Sequence, residues 1–213
     1  MNFLAHCSLA HDAAEVWQCS EQERIGLLAG AVIGDFVKGP IPTDWPTPLR
    51  AGARLHRKVD ALSNLNPAIR TNCNRFPTHL RRLAPIFVDL LADHCLSLNW
   101  QTHYDMEIEY FSQTCYAALE EYAQFQNPNA QALSQYMRNV DLLASYDEWP
   151  HVRRGIKSVL RRLRQEGLLE EVETASLATL AGTHTDFATY YPDLRQAWHS
   201  WNAFDAIAVP QSS

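Results

Sequence analysis

What the chain has little of narrows its class. Glycine is scarce, 8 of 213 residues, and no low-complexity tract is present, so no extended disordered region is expected before the final VPQSS. No apolar run is long enough to span a bilayer. The opening MNFLAHCSLAHD has no basic n-region, and its short apolar run is broken by His6 and Ser8, so a signal peptide is not expected. A cytoplasmic protein with no membrane partner is therefore expected. CxxC spacing is missing: Cys7, Cys19, Cys73, Cys95 and Cys115 are an odd set embedded in helical patterns, read as reduced, buried and inert. A positive excess is missing too, and a net charge of -6 speaks against a nucleic-acid partner bound through the overall field.

Strand-like alternation does not persist anywhere, whereas helix signals recur from end to end, so the fold class is all-α. Ser20 followed by Glu23 forms a capping box that opens a helix running through RIGLLAGAVIGDFVK to Gly39 and Pro40, with Asp35 in its last turn. The four prolines of GPIPTDWPTP then force a stiff loop. Thr47 before Pro48 reads as the N-cap of a helix over RAGARLHRKVDAL to about Asn64, and Asn66 before Pro67 repeats the device. Further helices are expected over Leu83–Trp100, 105–123, 129–145, 151–166 and 169–190. With 46% hydrophobic residues and no repeat or linker, residues 1–205 read as one domain and 206–213 as a flexible tail.

Against this ordinary background, the ionisable residues inside apolar helices stand out. His56 and Asp60 in RLHRKVD are four apart and share a helix face, and Asp89 and Asp93 in PIFVDLLADHCL repeat that spacing. His6 is the only ionisable group in NFLAH, and Asp35 the only acid in GLLAGAVIGDFV. Four helices each bringing His or Asp inward match the way metal sites are built in helical bundles. Mixed imidazole and carboxylate donors suit manganese, iron or zinc, with the carboxylate excess leaning toward the harder ions. Each residue has a plainer reading alone: His6 as a hydrogen-bonded core residue, Asp60 paired with Arg57 or Lys58, Asp35 paired with Lys38. Asp89 and His94, however, lie about 140° apart around their helix and cannot share one exposed stripe. The segment HVRRGIKSVLRRLRQ holds Arg153, Arg154, Lys157, Arg161, Arg162 and Arg164, six of the 18 basic residues with no acid among them. It makes a local positive face.

The segments NFLAH, GDFVKG (Gly34–Gly39), LHRKVD (Leu55–Asp60) and DLLADHCL (Asp89–Leu96) resemble, in order and at similar spacing, the acyl carrier protein phosphodiesterases. These are relatives of the HD metal-dependent phosphohydrolases. The likeness covers roughly the first hundred residues and thins to fragments such as TYYPDL beyond them. It implies an all-helical, HD-phosphohydrolase-like bundle, dependent on Mn2+ with Mg2+ or Fe2+ as alternatives. The implied reaction removes 4'-phosphopantetheine from holo acyl carrier protein, a phosphoric diester hydrolysis belonging to fatty acid and lipid metabolism. By the same resemblance Asp35, His56, Asp93 and His94 are expected as metal ligands with His6 beside them, and Asp89 as a hydrogen-bonded support. Asp60, Arg57 and Lys38 are expected in catalysis, and the Arg153–Arg164 segment as the docking face for the acidic carrier. Two departures bear on the pocket: Ala31 stands where relatives often have Asn, and Cys95 where an aromatic follows the Asp-His pair. The order Asp93-His94 also reverses the pair that names the wider superfamily. Two other readings compete, an HD-like phosphohydrolase of a small phosphoester or nucleotide and a non-catalytic helical module for an acidic protein.

Overall fold

Caps and prolines divide the chain into its helices. In the computed structural model, which describes residues 2–208, helix α1 spans Phe3–Val16 and α2 spans Glu21–Ile33. The others are α3 (Thr47–Leu65), α4 (Pro67–Arg75), α5 (Ala84–Leu98), α6 (Trp100–His103), α7 (Ile108–Glu121), α8 (Pro128–Asn139), α9 (Trp149–Arg162), α10 (Leu169–Gln196) and α11 (Asp205–Ala208). No strand occurs among the described residues, so the all-α reading holds. At the start of α2 the capping box is complete: Ser20 accepts from the Glu23 amide, and the Glu23 carboxylate accepts from the Ser20 amide at 2.8 Å. Asn66 and Asn127 cap α4 and α8 through the amides of Ala68 and Ala130. Of the expected tail, 206–208 belong to α11, and 209–213 lie outside the described residues.

Two helix ends differ from expectation for identifiable reasons. Helix α2 stops at Ile33, and Gly34–Phe36 tighten into a 3-10 turn. The Arg57 guanidinium donates to the carbonyls of Val37 and Gly39 at 3.0 and 2.6 Å, and Gly39 takes a φ of 81°, which only glycine adopts freely. These bonds hold the chain in a loop where the apolar pattern alone would continue the helix. Helix α10 instead runs past 190 and carries Pro192 inside it. Its last turn is anchored by buried Tyr190, Tyr191 and Leu194, and by Arg195, which donates to Asp12 at 2.7 and 2.9 Å.

The tightest helix pair is α2 against α3. Gly26, Gly30 and Gly34 recur every fourth residue on one face of α2 and its continuation. A Cβ on Gly30 would lie 2.6 Å from the backbone of Gly52 and Ala53, and one on Gly34 would lie 2.9 Å from Cβ of His56. The backbones therefore touch, a separation that any side chain at these positions would forbid. Helix α1 lies against α2, α3 and α5, and every residue from Leu4 to Ala10 is buried, so its short apolar pattern belongs to a central helix. Long α10 covers α4, α5 and α9. All five cysteines are free; Cys19 and Cys73 are half-buried, which corrects the expectation that all are enclosed, and desolvation pushes the Cys19 thiol up to about 11. No helix among the described residues is long and apolar enough to cross a membrane.

The glycine seam should be intolerant of a single methyl group. Gly30→Ala is expected to lower stability by about 2 kcal/mol, the usual size of an overpacking cost. Gly167→Ala, where nothing lies within 4 Å of the new Cβ, should stay within about 0.5 kcal/mol of the parent. Urea unfolding of both variants checks the contrast, and equal midpoints would refute the backbone contact.

Candidate metal centre

The seam delivers His56. Its ring packs on Gly34, and Nδ1 lies 2.8 Å from the carbonyl oxygen of Ala31, one turn back on α2. A carbonyl only accepts, so Nδ1 carries the proton, and in the neutral ring Nε2 carries the lone pair. That lone pair faces Oδ2 of Asp60, one turn along α3, at 3.3 Å. From α1, His6 stacks on His56 with ring centroids 4.0 Å apart and places Nε2 3.2 Å from Oδ1 of Asp60. Both histidines are buried, whereas the Asp60 side chain is 47% exposed.

The electrostatics of this trio favour a cation. Burial, reinforced by the neighbouring His56, lowers the His6 pKa to about 3, so the ring is neutral at physiological pH. Desolvation works to raise the Asp60 carboxyl, but the His56 and His6 imidazoles beside it prevail and hold it well below the usual carboxylate range. His6 Nε2 approaches one carboxylate oxygen outside good hydrogen-bond geometry, and the other oxygen meets the His56 lone pair with no proton between them. Both ring nitrogens of His6 are buried without a partner in good hydrogen-bond geometry. One donor atom from each of His6, His56 and Asp60 can be chosen so that all lie within 4.8 Å of one another, close to the span across a single divalent ion with nitrogen and oxygen ligands at about 2.0–2.2 Å. The residues present fit such an ion.

A cavity of about 570 Å³ opens above the trio. Asp35 and Asp89 line it, Asp35 exposed on its 3-10 turn and Asp89 with its carboxyl pKa raised by desolvation. To the same lining α9 contributes Arg154, Ser158 and Arg162, and apolar wall comes from Leu133, Tyr136 and Leu142.

Several expected site residues lie elsewhere. Asp93 is fully buried and accepts from the amides of Leu4 and Ala5 at 2.8 and 3.0 Å, capping the N-terminus of α1 from across the bundle. Burial drives its pKa up to about 7 against the pull of those two amides. His94 donates from Nδ1 to the Tyr146 carbonyl at 2.6 Å, its ring against Trp149. Neither reaches the trio, because one turn along α5 from Asp89 the helix faces the start of α1 and the Ala144–Asp147 turn. Arg57 is spent on the Val37 and Gly39 carbonyls, and neither it nor exposed Lys38 lines the cavity. Asp60, expected in catalysis, sits in the donor cluster itself. On α9, Arg153 pairs with Glu170 and Glu173 of α10 at 2.8 and 2.6 Å, whereas Lys157, Arg161 and Arg164 are exposed outside the cavity. The cavity-facing position of Arg154 and Arg162 was not read from the sequence, although their eight-residue spacing carried the signal.

Comparison with known proteins adds an independent line. Residues 1–194 match the family described as acyl carrier protein phosphodiesterase. A protein of that name from Escherichia coli O45:K1 (strain S88 / ExPEC) is 37% identical over 118 residues, 55% of this chain; the match spans only 54% of that relative's length. Another of the same name from Escherichia coli O157:H7 is 29% identical over 195 residues, covering 90% of this chain and 94% of the relative. No solved structure matches the chain.

The enclosure of His6 has a measurable consequence in the metal-free protein. Its folded pKa of about 3 lies below the ordinary imidazole value of 6.5, so between these limits the unfolded chain binds the extra proton. The stability gained from a neutral His6 is complete above about pH 6.5 and is lost as pH falls toward 3; lowered Asp60 adds a further loss below about pH 4. Imidazole nitrogen NMR at pH 5 should find His6 neutral, and a His6 that titrates near 6.5 would contradict the stacked geometry.

Proposed function

The chain belongs to the acyl carrier protein phosphodiesterase family, and from that membership we propose that it hydrolyses the phosphodiester joining 4'-phosphopantetheine to the serine of holo acyl carrier protein, leaving the apo carrier. The observation that carries this reading is the convergence of His6, His56 and Asp60 in the lining of a cavity that Arg154 and Arg162 also line. His6, His56 and Asp60 hold a divalent ion, manganese being the reading closest to the family. When bound, such an ion neutralises non-bridging phosphate oxygens and supplies hydroxide at neutral pH.

The remaining work falls to the chain. The Ala31 carbonyl fixes the His56 tautomer and keeps Nε2 free as a donor, the role that supporting hydrogen bonds commonly play at metal sites. Depressed Asp60 stays ionised and buried His6 stays neutral, the protonation states that metal ligation requires. Asp35 and Asp89 present carboxyl oxygens to the cavity, where they can orient a water. Asp93 fixes where α1 begins and hence where His6 lies. Histidine and aspartate donors shared between two helices, α1 and α3, also agree with the HD-phosphohydrolase-like arrangement that the resemblance implies. A carrier-protein substrate agrees with a cytoplasmic place in fatty acid metabolism.

For the protein part of the substrate, exposed Lys157, Arg161 and Arg164 form a cationic strip beside the cavity that suits the acidic surface of a carrier protein. Arg153 leaves this surface, since it ties α9 to α10.

Two experiments follow. His56→Ala and Asp60→Ala should each reduce conversion of holo to apo carrier, followed by mass spectrometry with manganese present, by more than 100-fold while circular dichroism stays helical. Asp93→Asn should instead lower the melting temperature and reduce turnover far less than either; near-parental activity of Asp60→Ala would remove it from the centre. Separately, reversing Lys157 and Arg161 to Glu should raise KM for the holo carrier at least 10-fold, and raised salt should mimic that effect on the parent because exposed charges are screened. Salt-insensitive conversion of the carrier would place docking elsewhere.

A further inference from the structure

The basic segment of α9 is not one surface. Its buried face, Val152, Ile156 and Leu160, packs into the core, and Arg153 on one flank is held by two acids of α10. On the other side Arg154, Ser158 and Arg162 recur every fourth residue, one stripe of the helix, and all three line the cavity above His6, His56 and Asp60. Gly155 lets this stripe in: a Cβ there would stand 3.2 Å from Cδ2 of Leu90, so α9 rides close on α5. Among the described residues no acid lies within ion-pair distance of Arg154 or Arg162, and the nearest polar partner of Arg154 is His151 Nε2 at 3.5 Å.

The charge balance of the lining gives these two cations a task. Asp35 and Asp60 bring negative charge to this lining, and Asp89 brings a carboxyl that burial pushes toward its neutral form. An anionic ligand entering the cavity meets the charge of Asp35 and Asp60, which the guanidinium groups of Arg154 and Arg162 offset and to which a divalent cation on the trio would add. Guanidinium suits this place better than ammonium, because its planar fork donates two parallel hydrogen bonds to phosphate oxygens.

We infer that Arg154 and Arg162 are the phosphate-binding residues of the cavity and take no part in docking the carrier protein. This rests on the reading of the cavity as a phosphodiesterase site and assigns the anion subsite within it. The helix period thus separates two kinds of recognition on one segment: the inner stripe meets the phosphate of the prosthetic group, and the neighbouring outer strip meets the protein that carries it.

Binding of free 4'-phosphopantetheine, compared with pantetheine, tests the assignment by calorimetry with and without added manganese. The parent should bind the phosphorylated compound at least 10-fold more tightly than pantetheine. Arg154→Ala and Arg162→Ala should each weaken phosphopantetheine about 10-fold in both conditions and leave pantetheine unchanged, consistent with loss of a charge-assisted hydrogen bond. Arg82→Ala, an exposed arginine outside the cavity, controls for simple loss of positive charge and should have no effect. No preference for the phosphorylated compound in the parent, or a loss at only one arginine or at neither, would overturn the assignment. Conversion of holo carrier by the parent distinguishes the two levels. If the parent fails to convert it while both arginine variants lose phosphopantetheine binding, the substrate reading falls and the subsite stands; if it converts the carrier and the variants bind normally, the subsite falls and the substrate reading stands.

Discussion

One hydrogen bond, from His56 Nδ1 to the Ala31 carbonyl, decides the chemistry of the centre. It sets the tautomer, and so turns the Nε2 lone pair toward Asp60, where a second donor from His6 converges. The bond exists only because α2 and α3 are in backbone contact, which in turn requires Gly30, Gly34 and Gly52 to lack side chains. A packing constraint along the seam thus becomes an electronic constraint at the site. The partner is a backbone oxygen, so the bond does not depend on the side chain at Ala31.

The acids on α5 show how one helix divides its labour. Asp89 reaches the cavity, whereas Asp93, one turn on, is consumed by the first amides of α1. That contact serves the site at one remove. A central helix buried from Leu4 to Ala10 has no room to shift sideways, and a carboxylate on its N-terminus fixes its position along its axis. His6 follows directly after the capped residues. The buried charge of Asp93 is costly, as its raised pKa records, and it is offset by two amide hydrogen bonds and the helix dipole.

Much of this was legible in the sequence, and the remainder was hidden for physical reasons. The all-α class, the capping box at Ser20 and the helix starts at Pro48 and Pro67 are local signals, and they hold to within a residue. The pairing of His56 with Asp60 is also local, being one helical turn. His6 joins them through tertiary packing that no spacing within NFLAH encodes. The same limit explains Asp93 and His94: periodicity gives their direction around α5 but not which neighbour waits there. Arg57 misled because its motif lies beside the site in sequence, while its length lets it fold back onto the Val37 and Gly39 carbonyls. The α9 arginines read as one basic patch because composition ignores the helical turn that sorts them.

The central claim is that His6, His56 and Asp60 together hold one divalent ion. Electron spin echo spectroscopy of manganese added to the purified protein tests it at the level of atoms. The account predicts one bound ion whose electron spin couples to two imidazole nitrogens, with one coupling lost in His6→Ala and one in His56→Ala. A bound ion without nitrogen coupling, or one whose couplings survive both substitutions and vanish with His94→Ala, would contradict it.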